Sequence, residues 1–264
     1  MDRREERAMG MALAQANKRP NPATGQARLT GPVSRTPSRR NCGIKSCCMV
    51  EITGKASLCD DANKDCPVLK HAFYKNLERC GIHRRFWDCS FSRIEEAGVP
   101  ASVMASYRKV QEYAKNLKEN VQAGRGLLLK GSVGTMKTTL AVAVLQEYLG
   151  QEGSGFFITM PGLLDSIFTL KAQSQAAWAS FEARLRETPL LVLDDLGAEH
   201  TEGWVLTKVD AIIAERYNRR LPAIVTTNLT AGQLRGIYAE RLIDRLRSTL
   251  QVVNFSGPSL RRQG

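Results

Sequence analysis

The stretch Gly131-Ser-Val-Gly134-Thr-Met136-Lys137-Thr138 decides the fold, because it lies between an apolar run over 126–130 and a helical pattern over 138–149. A strand, a glycine-rich loop and a helix in this order are the context of a phosphate-binding loop. The loop N–H groups and the helix N-terminus would face the phosphates, with Lys137 on the β- and γ-phosphates and the Thr138 hydroxyl on Mg²⁺. The expected nucleotide contacts are Gly131, Ser132, Val133, Gly134, Thr135, Met136, Lys137, Thr138 and Thr139. The alternative is an ordinary glycine-rich turn between a strand and a helix.

One residue departs from the pattern G-x-x-x-x-G-K-[ST], since Met136 stands where the second glycine is expected. Glycine keeps side-chain bulk away from the phosphates at this place. Methionine is unbranched and flexible, so it can fold aside more readily than other large side chains. We therefore expect ATP binding to survive the change.

A second motif lies about 55 residues downstream, where the run Leu190-Leu-Val-Leu ends in Asp194 and Asp195. On a strand placed beside the loop strand, Asp194 would reach the Mg²⁺ of a bound nucleotide, directly or through water. Asp195 would then orient or deprotonate the attacking water. A strand that happens to end in an acidic turn is common, but its coincidence with the loop is not.

The remaining pattern predicts an α/β fold. Short apolar runs at 155–159 and 223–226 alternate with helical patterns at 161–171, 178–186, 204–217 and onward from 231, and an earlier helical pattern begins near Ser102. This alternation is typical of a parallel sheet with helices on both faces. The runs 127–129 and 190–193 are apolar throughout, as expected for strands covered on both sides.

Further motifs add a family resemblance. They are Gly81-Ile-His-Arg-Arg-Phe86 with Trp-Asp-Cys-Ser-Phe91, Asp194-Asp195-Leu-Gly-Ala-Glu199, Thr226-Thr227-Asn228, Glu240-Arg241-Leu-Ile-Asp-Arg245-Leu-Arg247, and the closing segment Asn254-Phe255 to Arg261. With the loop, they resemble in order and spacing the DnaC/IstB-like branch of AAA+ P-loop ATPases, which have a RecA-like core. This branch comprises bacterial and phage helicase loaders and the ATPase helpers of some transposons. The resemblance covers about 70% of the chain, from Cys80 onward.

The resemblance implies roles for further residues. Asn228 would contact the γ-phosphate or the attacking water, and Arg261, with Arg262 as the runner-up, would be a nucleotide-sensing arginine. Arg245, or else Arg241, would be an arginine finger that reaches the nucleotide of a neighbouring subunit. From their spacing alone, the two finger candidates could instead pair with Glu240 or Asp244, or remain solvated.

The N-terminal third of the chain differs in composition. Residues 1–41 hold nine of the 38 basic and three of the 26 acidic side chains, and they predict a disordered basic arm suited to a polyanion or simply solvated. All seven cysteines lie between Cys42 and Cys89. We expect a Cys-rich module and lead-in over 42–89, followed by the ATPase core over 90–264.

The cysteine spacing leaves the chemistry of this module open. Four thiolates, from Cys42, Cys47 (or Cys48), Cys59 and Cys66, could hold a tetrahedral Zn²⁺. The spacings lack paired C-x-x-C knuckles, so an iron–sulfur cluster and free thiols in a reduced cytoplasm stay as alternatives.

The expected function is that of an ATP- and Mg²⁺-dependent helicase-loader-like ATPase that binds single-stranded DNA and a DnaB-type replicative helicase and self-associates through ATP-bridged interfaces. The rivals are an IstB-like transposition helper acting with a transposase, and a nucleotide-binding adaptor without turnover. A zinc module on a passive scaffold would leave the loop and the acidic strand unexplained. The longest stretch without a charge, 221–234, is too short to span a bilayer, so we expect a cytoplasmic protein with no membrane partner.

Overall fold

The computed structural model describes residues 67–198 and 203–261. The strands in this range are β1 (Gly126–Gly131), β2 (Gly155–Thr159), β3 (Leu190–Asp194), β4 (Ala223–Thr227) and β5 (Leu250–Phe255). The helices are α1 (Pro67–Arg79), α2 (Phe91–Glu96), α3 (Met104–Lys115), α4 (Leu117–Gln122), α5 (Lys137–Gly150), α6 (Met160–Gln173), α7 (Gln175–Glu187), α8 (Gly203–Asn218), α9 (Ala231–Ile237) and α10 (Glu240–Thr249). Two short 3-10 helices cover Arg84–Phe86 and Ala101–Val103.

The five strands form one sheet in the order β2-β3-β4-β1-β5, and every neighbouring pair is parallel. Successive side chains of a strand point to opposite faces. In β1, Leu127 and Leu129 accordingly join a hydrophobic cluster with α3, α4 and α5, whereas Leu128 joins one with α6 to α10. The predicted parallel sheet with helices on both faces is confirmed. The predicted basic arm, and the part of the Cys-rich module before residue 67, lie outside the described residues.

The helix that follows the loop is the central element of one layer. In α5 the six consecutive residues from Leu140 to Leu145 are at most 1% exposed. This helix packs against β1, β2, β3 and β4 on one side and against α3 on the other. It therefore crosses the sheet from the end of β1 toward β3.

The segment before the core packs into it. Leu77, Cys80, Ile82 and Phe86 belong to the same hydrophobic cluster as β1 and α5. The backbone N–H of Phe157 in β2 also donates to the Cys80 carbonyl at 2.8 Å. The division predicted at residue 90 stays a prediction, and the described lead-in shares one packed core with the strands of the sheet.

The sequence patterns missed several features, helix α2 and the two 3-10 helices among them. Helix α1 was not predicted within the Cys-rich block, and the helical pattern after Ala231 forms two helices, α9 and α10, that are separated at Tyr238 and Ala239. Strand β5 was missed because it lies at the edge of the sheet, where only Leu250, Val253 and Phe255 are buried. Because polar residues interrupt its sequence, β5 lacks the continuous apolar run by which the other strands were predicted.

Arg216 of α8 fixes the opposite end of the sheet from the loop. Its side chain is 2% exposed and donates to the carbonyls of Leu185, Thr188, Pro189 and Pro222 at 2.5–3.3 Å. These carbonyls lie where the chain enters β3 and β4. Burial lowers the pKa of Arg216 to about 9, so the group remains charged at neutral pH. Among the helices of the described ranges, none is long and apolar enough to cross a membrane.

Candidate nucleotide-binding site

The glycine-rich loop joins β1 to α5 at the carboxyl end of the sheet. Gly134 has φ +79°, and a Cβ there would collide with the Ser259 side chain. The backbone N–H of Leu260 donates to the Gly134 carbonyl at 2.9 Å. The closing segment thus lies directly on the loop, and glycine is required where the two meet.

Met136 also lies in the left-handed region, with φ 69° and ψ 10°. This conformation costs a non-glycine residue roughly 1–2 kcal/mol, which explains why glycine is the usual residue at this place. The methionine side chain packs against the hydrophobic cluster around α5 and also lines the cleft beside the loop. The expectation that nucleotide binding survives this residue stays a prediction.

Lys137 is the first residue of α5 and only 5% exposed. Its ammonium group donates to the carbonyls of Gly131 at 2.9 Å and Ser132 at 2.6 Å. Burial lowers the pKa of Lys137, while the nearby carboxylates of Asp195 and Asp194 act in the opposite direction. A desolvated cation held inside the loop is the group that a phosphate site requires.

Thr138 and Asp194 meet across 56 residues of sequence. The Thr138 hydroxyl donates to Asp194 Oδ1 at 2.9 Å, and the Thr226 hydroxyl donates to the same oxygen at 2.7 Å. Asp194 is 3% exposed, and this burial raises its pKa although the two hydroxyl groups favour the carboxylate. Thr138 and Asp194 are thus brought together next to Lys137. That these three residues converge on one magnesium–nucleotide stays a prediction.

The route by which Asp194 arrives differs from the prediction. We expected β3 to lie beside β1, but β4 lies between them. Asp194 still reaches Thr138 because α5 crosses β4 and β3 after leaving the loop. The intervening strand also supplies Thr226, a hydroxyl at the end of β4 that sequence reasoning placed in a motif without giving it a role.

Asp195 and Asn228 follow β3 and β4 and line the same cleft. The backbone N–H of Asp195 donates to Thr226 Oγ1 at 2.9 Å, and the Asn228 amide donates to Asp195 Oδ1 at 3.3 Å. Asp195 has φ 58°, so its backbone is held in the left-handed region just after the strand. These contacts hold a carboxylate and an amide in the cleft beside the loop. The predicted roles of Asp195 on the attacking water and of Asn228 on the γ-phosphate or that water stay predictions.

A cleft of about 410 Å³ lies beside the loop, and of the predicted nucleotide contacts Gly131, Ser132 and Asp194 do not line it. Its predicted lining residues are Val133, Gly134, Thr135, Met136, Lys137, Thr138, Thr139, Asp195, Asn228 and Arg261. Arg85, Phe86 and Leu260 also line it and were not predicted as site residues. Arg85 and Phe86 belong to a motif of the family resemblance, but that motif alone does not predict that they line the cleft. The runner-up Arg262 lies outside the described residues.

The two arginine-finger candidates do not line this cleft. Arg241 and Arg245 of α10 both bind Asp210 of α8, at 2.8 and 3.0 Å. The pairing with Glu240 or Asp244 that their spacing allowed is not seen for either arginine in the described part of the chain. Asp210 was missed because it lies 31 residues before Arg241 on another helix.

The donor set fits a magnesium–nucleotide. The Thr138 hydroxyl and the Asp194 carboxylate are the hard oxygen ligands that Mg²⁺ prefers, and they lie beside a buried lysine. The four cysteines predicted as zinc ligands lie outside the described residues. Within 67–198 and 203–261, no group of three or more His, Cys, Asp or Glu side chains could hold a metal ion.

The chain is similar in sequence to replicative helicase loaders. The chain is 28% identical over 138 residues to the replicative helicase loader DnaI of Bacillus subtilis, covering 51% of this chain and 42% of DnaI. It is 24% identical over 175 residues to the replicative helicase loader DnaC of Escherichia coli K12, covering 66% of this chain and 69% of DnaC.

Solved structures show the same fold. A crystal structure of the DnaC helicase loader matches with a TM-score of 0.57 and 25% identity, over 66% of this chain and all of that one. The replication initiator DnaA, solved with AMPPCP and single-stranded DNA, matches with a TM-score of 0.54 and 18% identity over 67% of this chain and 51% of that one. The family described as IstB-like ATP binding protein matches residues 92–264, and this chain belongs to that family.

Proposed function

We propose that this protein is a magnesium-dependent ATPase of the helicase-loader type. The hydrogen bond between Thr138 and Asp194 carries the proposal, because it joins the loop to the acidic strand beside the buried Lys137. Thr138 and Asp194 would hold Mg²⁺, which neutralises phosphate charge when bound. Lys137 would contact the β- and γ-phosphates.

The residues at the strand ends supply the hydrolytic groups. Asp195 orients a water for attack on the γ-phosphorus and accepts its proton, while the bond from that phosphorus to its bridging oxygen breaks to give ADP and phosphate. Asn228 donates an amide N–H toward the same region. Arg245 of a neighbouring copy, with Arg241 as the runner-up, neutralises the charge that develops in the transition state.

Concentration dependence tests this scheme directly. We expect phosphate release per chain to rise with protein concentration, since the finger must come from a second copy. Saturable ATP binding without phosphate release at any concentration would support the adaptor without turnover. Equal rates per chain at all concentrations would contradict hydrolysis at a subunit interface.

The proposed nucleic-acid partner is single-stranded DNA. Phe168 of α6 is 61% exposed and packs edge-to-face on Trp204 of α8 at 5.2 Å. Lys171 lies on the same helix as Phe168 and Lys208 on the same helix as Trp204. Exposed aromatic rings stack on bases and cations contact the backbone, and each stacked base contributes about 1–3 kcal/mol.

A substitution in this aromatic pair tests whether single-stranded DNA binds through base stacking or only through the positive charge of the protein. Phe168→Ala should weaken binding of a single-stranded oligonucleotide about tenfold. Val252→Ala, which removes an exposed apolar side chain from β5, should not. If the two variants bound the oligonucleotide equally well, the aromatic pair would not be part of the DNA-binding surface.

The proposed protein partner is a DnaB-type replicative helicase, because the named relatives are replicative helicase loaders. The family match also keeps the transposition helper as the second candidate. Preference for single strands together with capture of a purified hexameric helicase supports the loader. Preference for duplex DNA together with capture of a transposase supports the helper.

A further inference from the structure

The wall of the nucleotide cleft includes a segment far from the loop in sequence. Arg85 and Phe86, in the 3-10 helix Arg84–Phe86, line the cleft together with Lys137, Thr138 and Thr139. This segment precedes β1 and belongs to none of the motifs to which a nucleotide contact was assigned. Its position next to the loop therefore adds a cation to the site.

The segment is firmly attached to the core. The Gln146 amide in α5 donates to the carbonyls of Phe86 at 2.8 Å and Trp87 at 3.2 Å. Phe86 is 8% exposed, and its ring lies 6.1 Å from the ring of Phe157 in β2. Arg85 thus projects from a backbone that is fixed to the helix following the loop.

Two adjacent arginines behave differently here. The Arg84 guanidinium lies 5.5 Å from the centre of the Trp87 ring, and Arg84 does not line the cleft. The Arg85 guanidinium lies 4.4 Å from the centre of the Phe86 ring, at the cleft wall. Arg85 is solvent-exposed, and no ion pair joins it to a carboxylate of the described ranges.

Arg85 lies on the same cleft wall as Thr138, the residue proposed to bind Mg²⁺. A planar guanidinium with several N–H donors suits the paired oxygens of a phosphate, and a neighbouring aromatic face restricts its orientation. An exposed cation near Thr138 and Thr139 is placed where a nucleotide phosphate would meet it.

We propose that Arg85 is a nucleotide-binding residue that contacts a phosphate of the ATP held by its own chain. This inference rests on the proposed nucleotide site and extends it. It makes the lead-in segment part of the site, so that the cleft has cations from three places in the sequence: Arg85, Lys137 and Arg261. Arg85 differs from Arg245, which would act on the nucleotide of a neighbouring copy.

The neighbouring arginine provides the matched control. Dissociation constants for a fluorescent ATP analogue with Mg²⁺ are measured on the full chain for wild type, Arg85→Ala and Arg84→Ala. We expect Arg85→Ala to weaken binding at least about tenfold, the usual effect of losing a charge-assisted hydrogen bond, and Arg84→Ala to change it less than about twofold. Both variants should melt at the same temperature without nucleotide, and only Arg85→Ala should lose part of the shift that nucleotide produces.

The outcomes separate this inference from the nucleotide site itself. Saturable binding by wild type with equal affinities for Arg85→Ala and Arg84→Ala overturns the role of Arg85 and leaves the site intact. Absence of saturable binding by wild type overturns both. If Arg85→Ala does not fold, Arg85→Gln, which keeps much of the aliphatic stem, is measured instead, and unchanged affinity in that variant overturns the role.

Discussion

The nucleotide cleft and the arginine pair of α10 hold their charged side chains in opposite ways. Lys137 lines the cleft and Asp194 binds Thr138 of the cleft wall; the two residues are 5% and 3% exposed and are held by hydrogen bonds at the end of the sheet. On α10, the Arg241 side chain is 66% exposed and Arg245 27%, and both bind Asp210 away from the cleft. The groups proposed to bind nucleotide are therefore assembled within one chain, whereas those proposed to complete hydrolysis lie outside that chain's own cleft.

The largest expected effect separates these two regions. Arg245→Ala should lower the rate of ATP hydrolysis about 10³-fold, because an arginine finger neutralises charge only in the transition state. Nucleotide affinity should stay unchanged, since Arg245 does not line the cleft of its own chain. Phosphate release and equilibrium binding are measured together, with Arg247→Ala, an exposed residue of the same helix, as the control. If Arg245→Ala lowered nucleotide affinity by the same factor as the rate of ATP hydrolysis, Arg245 would act in nucleotide binding and not in the transition state alone.

A second prediction concerns the support of the cleft. Arg216→Met should lower the free energy of unfolding by about 3 kcal/mol, because it leaves several buried carbonyls without a donor. These carbonyls lie where β3 and β4 begin, and the same strands end at Asp194 and Thr226. Chemical denaturation measures the change. Arg219→Met on the same helix, whose ion pairs are exposed, should leave stability almost unchanged, and equal effects would contradict the assigned role.

The loop backbone gives a smaller expected effect. Met136→Gly and Met136→Ala both remove the methionine packing, but only glycine adopts φ 69° without strain. The glycine variant should be more stable than the alanine variant by about 1 kcal/mol. The two are compared in the same denaturant titration. Greater stability of the alanine variant would show that Met136 does not hold this conformation in solution.

The last stability effect depends on pH. Burial raises the pKa of Asp194 in the folded protein. As the pH rises past the usual value of 3.8, the carboxyl group therefore loses its proton in the unfolded chain but keeps it in the folded protein. Its contribution to stability is therefore present at low pH and is lost as the pH rises from that value through the folded pKa. Asp194→Asn, which keeps an oxygen for Thr138 and Thr226, lacks this dependence.

The stability of the Asp194→Asn variant relative to wild type should therefore increase as the pH rises from 3.8 through the folded pKa of Asp194, and then level off. Unfolding free energies of both proteins across the acidic range measure the difference. A constant difference at all pH values would contradict a raised pKa.

The local sequence predicted the loop and the acidic strand at the cleft better than it predicted the strand order and the tertiary contacts around them. The loop and the acidic strand were predictable because a strand, a glycine-rich turn and a helix leave a continuous local pattern, and the bounds of β2 and β3 match the predicted runs. The strand order was not predictable in the same way, since the place of β4 between β3 and β1 depends on how α5 crosses the sheet. For a related reason, Asp210 was missed as the partner of Arg241 and Arg245, and Arg85 as a residue of the cleft wall: only tertiary packing brings each to its place.

Nucleotide titration of the isolated chain tests the central claim most directly. At protein concentrations below self-association, wild type should bind a fluorescent ATP analogue saturably in the presence of Mg²⁺. Lys137→Ala should bind at least about 100-fold more weakly, because a buried charged contact to the phosphates is lost. Lys118→Ala, an exposed change on α4, should match wild type. Equal affinities for the Lys137 variant and wild type would contradict the convergence of Lys137, Thr138 and Asp194 on one nucleotide.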